Sequence, residues 1–108
     1  MAEGKGEVKH MLLAKFKEEV SEQQIEECIK QYANLVDLIP SMKSFRWGRD
    51  VSQENLHQGI THVLSPHSKA RKEYRYLSHP DHEAYGNILR PLLEIAITVD
   101  YHPTTVQL

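Results

Sequence analysis

The chain has 108 residues, 40% of them hydrophobic and 26% charged, with a formal net charge of −2. That suits one domain with a modest core and leaves no room for two. Thirteen basic residues set among 15 acidic ones make no electrostatic footprint for nucleic acid or for an anionic membrane surface. The single cysteine, Cys28, excludes an intramolecular disulfide framework. No apolar stretch is long enough to span a bilayer, and the opening MAEGKGEVKH lacks the apolar centre of a signal peptide, so the expected compartment is the cytoplasm.

Residues 8–16, VKHMLLAKF, alternate with period two. Val8, His10, Leu12, Ala14 and Phe16 share one face, while Lys9, Met11, Leu13 and Lys15 share the other. This predicts a strand in which His10 is the polar intruder. Ser21-Glu22-Gln23-Gln24 forms a capping box. Ile25, Ile29, Tyr32, Val36 and Ile39 then recur at spacings of three and four, the stripe of an amphipathic helix that Pro40 stops. Residues 43–50 alternate around Phe45 and Trp47 as a second strand, 51–59 are a polar loop, and 60–64 begin a third strand. Residues 65–75, SPHSKARKEYR, read as a basic loop leading into a helix. Ser78-His79-Pro80-Asp81 carries Pro and an acid early, as helix starts do. The helix runs from His82 towards Glu94, disturbed at Pro91, and the β-branched run 95–101 closes the chain as a fourth strand.

The order β-α-β-β-α-β specifies a ferredoxin-like α+β fold, an antiparallel four-stranded sheet with helices on one face. The other face needs a cover, and a second copy of the sheet is the obvious one. The expected organisation is a flexible N-terminus over 1–7, the domain over 8–103 and a tail over 104–108.

His10 and His62 both fall on otherwise apolar strand positions, where an unpartnered imidazole is costly. An imidazole can take and return a proton near neutral pH, and a tyrosine hydroxyl can hold a developing oxyanion. The plainer reading makes the same residues satisfied core or interface groups. His79-x-x-His82 could share a metal with a third ligand such as His62, but no cysteine cluster or flanking glutamate accompanies it. Phe45 and Trp47 suit core or dimer contact better than a ligand platform. Cys28 suits a small helix filler. His57, His67 and His102 read as loop or surface residues.

The stretches VKHMLLAKFK, YANLVDLIPSMKSFRWGRDVS, ENLHQGITH, YLSHPDH and VDYHPT resemble the plant stress-responsive dimeric A/B barrel family, in particular its small heat-stable members. The resemblance implies a homodimer whose two sheets close a barrel. It also implies a cavity between each sheet and its helices for a small hydrophobic or polyketide-like ligand, with no cofactor required. Two functions follow: a heat-stable stress or defence protein, or a cyclase or hydroxynitrile-lyase-like enzyme acting beside a carbonyl. The family's H-P-x-H element, and a tyrosine three residues before it, place the catalytic pair on His82 and Tyr76. His10, Tyr32, His62 and Tyr85 become substrate-binding positions. The pattern V-x-x-I-x-x-M also resembles a cation site of backbone carbonyls, here Val36, Ile39 and Met42, suited to a structural Mg2+. The family's acidic-aromatic F-E-x-T-F-E-S stretch is replaced by LSPHSKARKEYR, which implies a truncated third strand. Family-like codons read one frame over give a similar string, and intact mass against a cDNA sequence tests whether compensating frameshifts rewrote 64–75. The family's G-Y-T-H is G-I-T-H, which puts Ile60 in place of an aromatic.

Overall fold

A computed structural model describes residues 8–40, 42–68 and 80–107. The elements are β1 (Val8–Phe16), α1 (Glu22–Leu38), β2 (Met42–Arg49), β3 (His62–Ser68), α2 (Pro80–Leu89), a 3-10 turn (Arg90–Leu92) and β4 (Leu93–Tyr101). The strands form one antiparallel sheet in the order β2-β3-β1-β4, the expected ferredoxin-like arrangement.

Each element has a local cause. The capping box is present: Ser21 Oγ accepts from the Gln24 amide at 3.1 Å, and Gln24 Oε1 accepts from the Ser21 amide at 2.8 Å. These bonds satisfy two groups that a helix start otherwise leaves bare. At the other end Ile39 takes an extended conformation and its N–H bonds the Leu35 carbonyl at 2.8 Å, so the helix stops before Pro40. α1 buries Ile25, Cys28, Ile29, Tyr32 and Leu35 against Leu12, Ala14 and Phe16 of β1 and Leu64 of β3. Each fully buried aliphatic side chain there contributes about 1.5–3 kcal/mol against the entropy of ordering the chain. The loop before β3 is pinned by Asp50 N–H to Thr61 O at 2.9 Å and Thr61 N–H to Ala14 O at 3.0 Å. Gly59, at φ +87°, supplies the left-handed turn that lets Ile60 bury.

Several boundaries differ from the sequence reading, three of them with consequences for the sheet and the site. β3 does not end near Leu64; it pairs through Ser68, so His67 stands on a strand. Pro66 sits inside that strand opposite Phe45, and the β1–β3 pairing is interrupted between Lys9↔His67 and Leu12↔Leu64. Proline has no N–H to give the ladder, and pairing on both sides holds the strand nonetheless. β4 begins at Leu93, two positions before the expected Ile95. The helix expected up to Glu94 ends at Leu89 and tightens into the 3-10 turn around Pro91.

Among the described residues, helices cover only one face of the sheet. On the other, Ile97, Val99 and Tyr101 of β4 are 43%, 46% and 45% exposed. They stand beside Leu13, Met11 and Lys9 of β1.

Candidate functional site

The alternation of β4 opens a cavity. Ile95, Ile97, Val99 and Tyr101 turn to the uncovered face, which leaves Ala96, Thr98 and Asp100 towards the helices. Side chains this short do not reach α2. The result is a cavity of about 550 Å³ between α2, Tyr32 of α1 and strands β1 and β4, within the size range of small-molecule sites. Its walls are largely apolar, from Leu12, Leu89, Leu93 and Ala96, with His10, Tyr32 and His82 among them.

His10 is 8% exposed, and its Nδ1 is bonded to Asp100 Oδ1 from the neighbouring strand. A carboxylate on Nδ1 fixes the orientation of the ring and its tautomer. Tyr32 is buried, stacks on Phe45 with ring centroids 4.6 Å apart and meets the His82 ring edge-on at 6.4 Å. Burial, with the nearby Asp100 charge adding to it, pushes the Tyr32 phenol well above its ordinary range. It is therefore a lasting donor, not a base. His82, in the first turn of α2, is half-buried.

Tyr85 also lines the cavity, but its hydroxyl is committed elsewhere. It donates to the Cys28 carbonyl at 2.7 Å and lies 3.3 Å from Cys28 Sγ. Burial first, then the Cys28 contact, drives its pKa far up. Tyr85 is thus a wall and a strut between the two helices. The Cys28 thiol is raised by burial, partly offset by the Tyr85 bond.

His62 does not join this group. It is 3% exposed, enclosed by Phe16 edge-on at 5.2 Å and by Trp47 stacked at 6.1 Å. Thr61 Oγ1 lies 2.8 Å from its Nδ1, and Nε2 has no hydrogen-bond partner among the described residues. Burial, and then the Arg49 charge, lower its pKa, with Glu22 opposing. Tyr76, Tyr74 and His79 lie outside the described residues.

The carbonyls proposed for a cation lie at the end of α1, for Val36 and Ile39, and at the start of β2, for Met42. That last turn has no basic side chain to meet the helix dipole, which fits a cation, although the Ile39 carbonyl already accepts from Met42 N–H at 3.0 Å. Among the described residues no group of three or more His, Cys, Asp or Glu is placed to hold a metal.

Sequence reasoning missed Asp100 and Arg90. The alternation of β4 puts Asp100 on the side of Ala96 and Thr98, a usable signal, but its pairing with His10 depends on a β1–β4 register that the sequence does not state. Arg90 lines the cavity from the turn after α2.

A ferredoxin-like domain with a ligand-sized, histidine-lined cavity between one sheet face and its helices is the class these features define. The chain belongs to the stress responsive A/B barrel domain family, which residues 8–103 match. It is 50% identical to the stress-response A/B barrel domain-containing protein HS1 of Arabidopsis thaliana, over all of both chains. It is 40% identical to olivetolic acid cyclase of Cannabis sativa, over 89% of this chain and 96% of that one. The crystal structure of At3g17210 from Arabidopsis thaliana superposes with a TM-score of 0.90 at 49% identity, covering 94% of this chain and 99% of that one. The hydroxynitrile lyase of Passiflora edulis shares the fold at a TM-score of 0.88 and 23% identity, over 95% and 98%. Among the described residues no helix is long and apolar enough to cross a membrane.

Proposed function

We propose that this chain is a heat-stable, cytoplasmic stress-response or defence protein that works as a homodimer and holds a small, largely apolar ligand between its sheet and helices. The observation that carries the reading is the cavity of about 550 Å³, with His10, Tyr32 and His82 set in apolar walls. The exposed Ile97, Val99 and Tyr101 on the opposite face support the dimer, because a lone sheet gains by covering such a patch. A structural Mg2+ held by the carbonyls of Val36, Ile39 and Met42 would tie the end of α1 to the start of β2 and would take no part in any step. Light scattering and thermal unfolding test the dimer and its heat resistance. Saturable binding of an apolar fluorophore, lost when Ala96→Phe fills the cavity, tests the pocket. A monomer, or binding indifferent to Ala96→Phe, would overturn the respective half.

The second reading is a cofactor-free carbonyl enzyme, and the likeness to olivetolic acid cyclase favours it. In an intramolecular aldol closure His82 takes the proton from the carbon beside one carbonyl, and the electron pair moves onto that carbonyl's oxygen. Tyr76 orients His82, and the Tyr32 phenol donates to the enolate. The enolate carbon then bonds the second carbonyl carbon, and His82 returns its proton to the new alkoxide. His10, held by Asp100, binds a substrate oxygen. Cyclisation of a linear tetraketide, lost in His82→Ala and Tyr76→Phe with the dimer intact, is the expected result. No turnover from a folded wild type would leave the ligand-binding reading alone.

A further inference from the structure

We infer that Arg90 recognises an anionic group at the mouth of the cavity, so that the ligand is an apolar acid, in the simplest case a carboxylate, with its apolar part inside. This rests on the cavity being a ligand site and adds the chemical class of what enters it.

Arg90 follows α2 and lines the cavity together with Glu83, Gly86 and Asn87. Its guanidinium lies across the last turn of the helix. Nε donates to the Gly86 carbonyl at 3.2 Å, and Nη2 donates to Asn87 Oδ1 at 3.0 Å. Both partners are neutral, so they fix the orientation of the fork without cancelling its charge. Glu83 stands on the same side of the helix, yet no ion pair joins it to Arg90 among the described residues. Nη1 is likewise unbonded to the described residues, which leaves that edge for the fork geometry by which arginine grips carboxylates.

Gly86 carries the argument further. Glycine is a poor residue for a helix interior, and its φ here is not one that requires it. A Cβ at this position would stand 3.2 Å from Arg90 Nη2. A side chain there would make the guanidinium give by a few tenths of an ångström, so the glycine leaves it room in this position. A basic residue at a helix end also meets the helix dipole, but that role needs neither the glycine nor the cavity. Behind the rim the walls are Leu12, Leu89, Leu93 and Ala96. A charge at the mouth with apolar walls behind it selects an amphipathic acid.

The test compares two probes that differ mainly in charge, 8-anilinonaphthalene-1-sulfonate and its uncharged parent N-phenyl-1-naphthylamine, binding to wild type, Arg90→Gln and Arg90→Lys. Arg90→Gln should lower the anion-to-neutral affinity ratio about tenfold, as loss of a charge-assisted contact does, and Arg90→Lys should keep part of it. A merely structural Arg90 would weaken both probes together and leave the ratio alone. An unchanged ratio, with both probes still displaced by Ala96→Phe, would overturn the role of Arg90 and leave the pocket standing. Probes that fail to bind wild type, or that ignore Ala96→Phe, would overturn the pocket reading and this inference with it. Thr98→Phe replaces Ala96→Phe if circular dichroism shows that variant unfolded.

Discussion

The covered face of the sheet carries one buried histidine at each end, and the two are in opposite situations. At the cavity end His10 is bonded to a carboxylate and lines open volume. At the closed end His62 lies between Phe16 and Trp47, with Nε2 unpartnered among the described residues and its pKa lowered. The sequence puts both on otherwise apolar strand faces, and the family resemblance makes both ligand contacts. Residue type and face are therefore not enough to make a site. What separates the two is the size of the side chains across from them: Ala96 and Thr98 leave room above His10, whereas Phe16 and Trp47 fill the space around His62.

The largest way to break this contrast is to empty the closed end. Phe16→Ala should cost about 3–5 kcal/mol in chemical denaturation, because it removes a buried ring and leaves a void beside His62. Leu12→Ala, on the cavity wall, should cost less, about 2–3 kcal/mol, since water can enter space that is already open. Equal costs would mean that the cavity end is as tightly filled as the closed end.

Asp100→Asn sharpens the contrast from the other side. The pair with His10 is partly exposed, the aspartate side chain at 41%, so the stability loss should be only about 1 kcal/mol. The effect on ligand affinity or turnover should exceed that on stability, because the carboxylate fixes which nitrogen of His10 faces the cavity. Asp100→Asn that destabilises without touching binding would make the pair structural only.

These two tests also mark where the sequence was legible. Periodicity set β1, α1 and the element order, and the capping box at Ser21 was readable because its bonds are local. β3 was not readable beyond Leu64, because Pro66 argues against a central strand and only its pairing with β1 and β2 on both sides outweighs it. The family resemblance groups His10, Tyr32, His82 and Tyr85, and all four line one cavity, but the bond of Tyr85 to Cys28 spans 57 positions and that of His10 to Asp100 spans 90. No local pattern encodes such partners.

The closed end should also respond to acid. The folded state holds the His62 pKa below that of the unfolded chain, about 6.5. Between the two values the unfolded chain binds the proton and the folded one does not. Stability contributed by neutral His62 is thus complete above about pH 6.5 and is lost as pH falls through the folded pKa. His62→Phe should flatten this part of the profile, measured by denaturation midpoints from pH 8 down to 5. A slope that survives the substitution would assign it to another group.

The smallest effect separates the causes of that shift. Trp47 is the only tryptophan and stacks on the His62 ring, so its fluorescence reports the imidazole directly, a protonated ring being the stronger quencher. Arg49 lowers the His62 pKa and Glu22 raises it, while the two are themselves bonded at 2.7 Å. Arg49→Gln should therefore move the fluorescence midpoint up, and Glu22→Gln should move it down. Both changes should be modest, because the pair is exposed and each charge screens the other. Burial is the leading cause, so neither substitution should bring the midpoint back to that of an exposed histidine. If Arg49→Gln alone did so, the closed end would be electrostatic in origin, and the contrast with the His10–Asp100 pair would rest on charge instead of on packing.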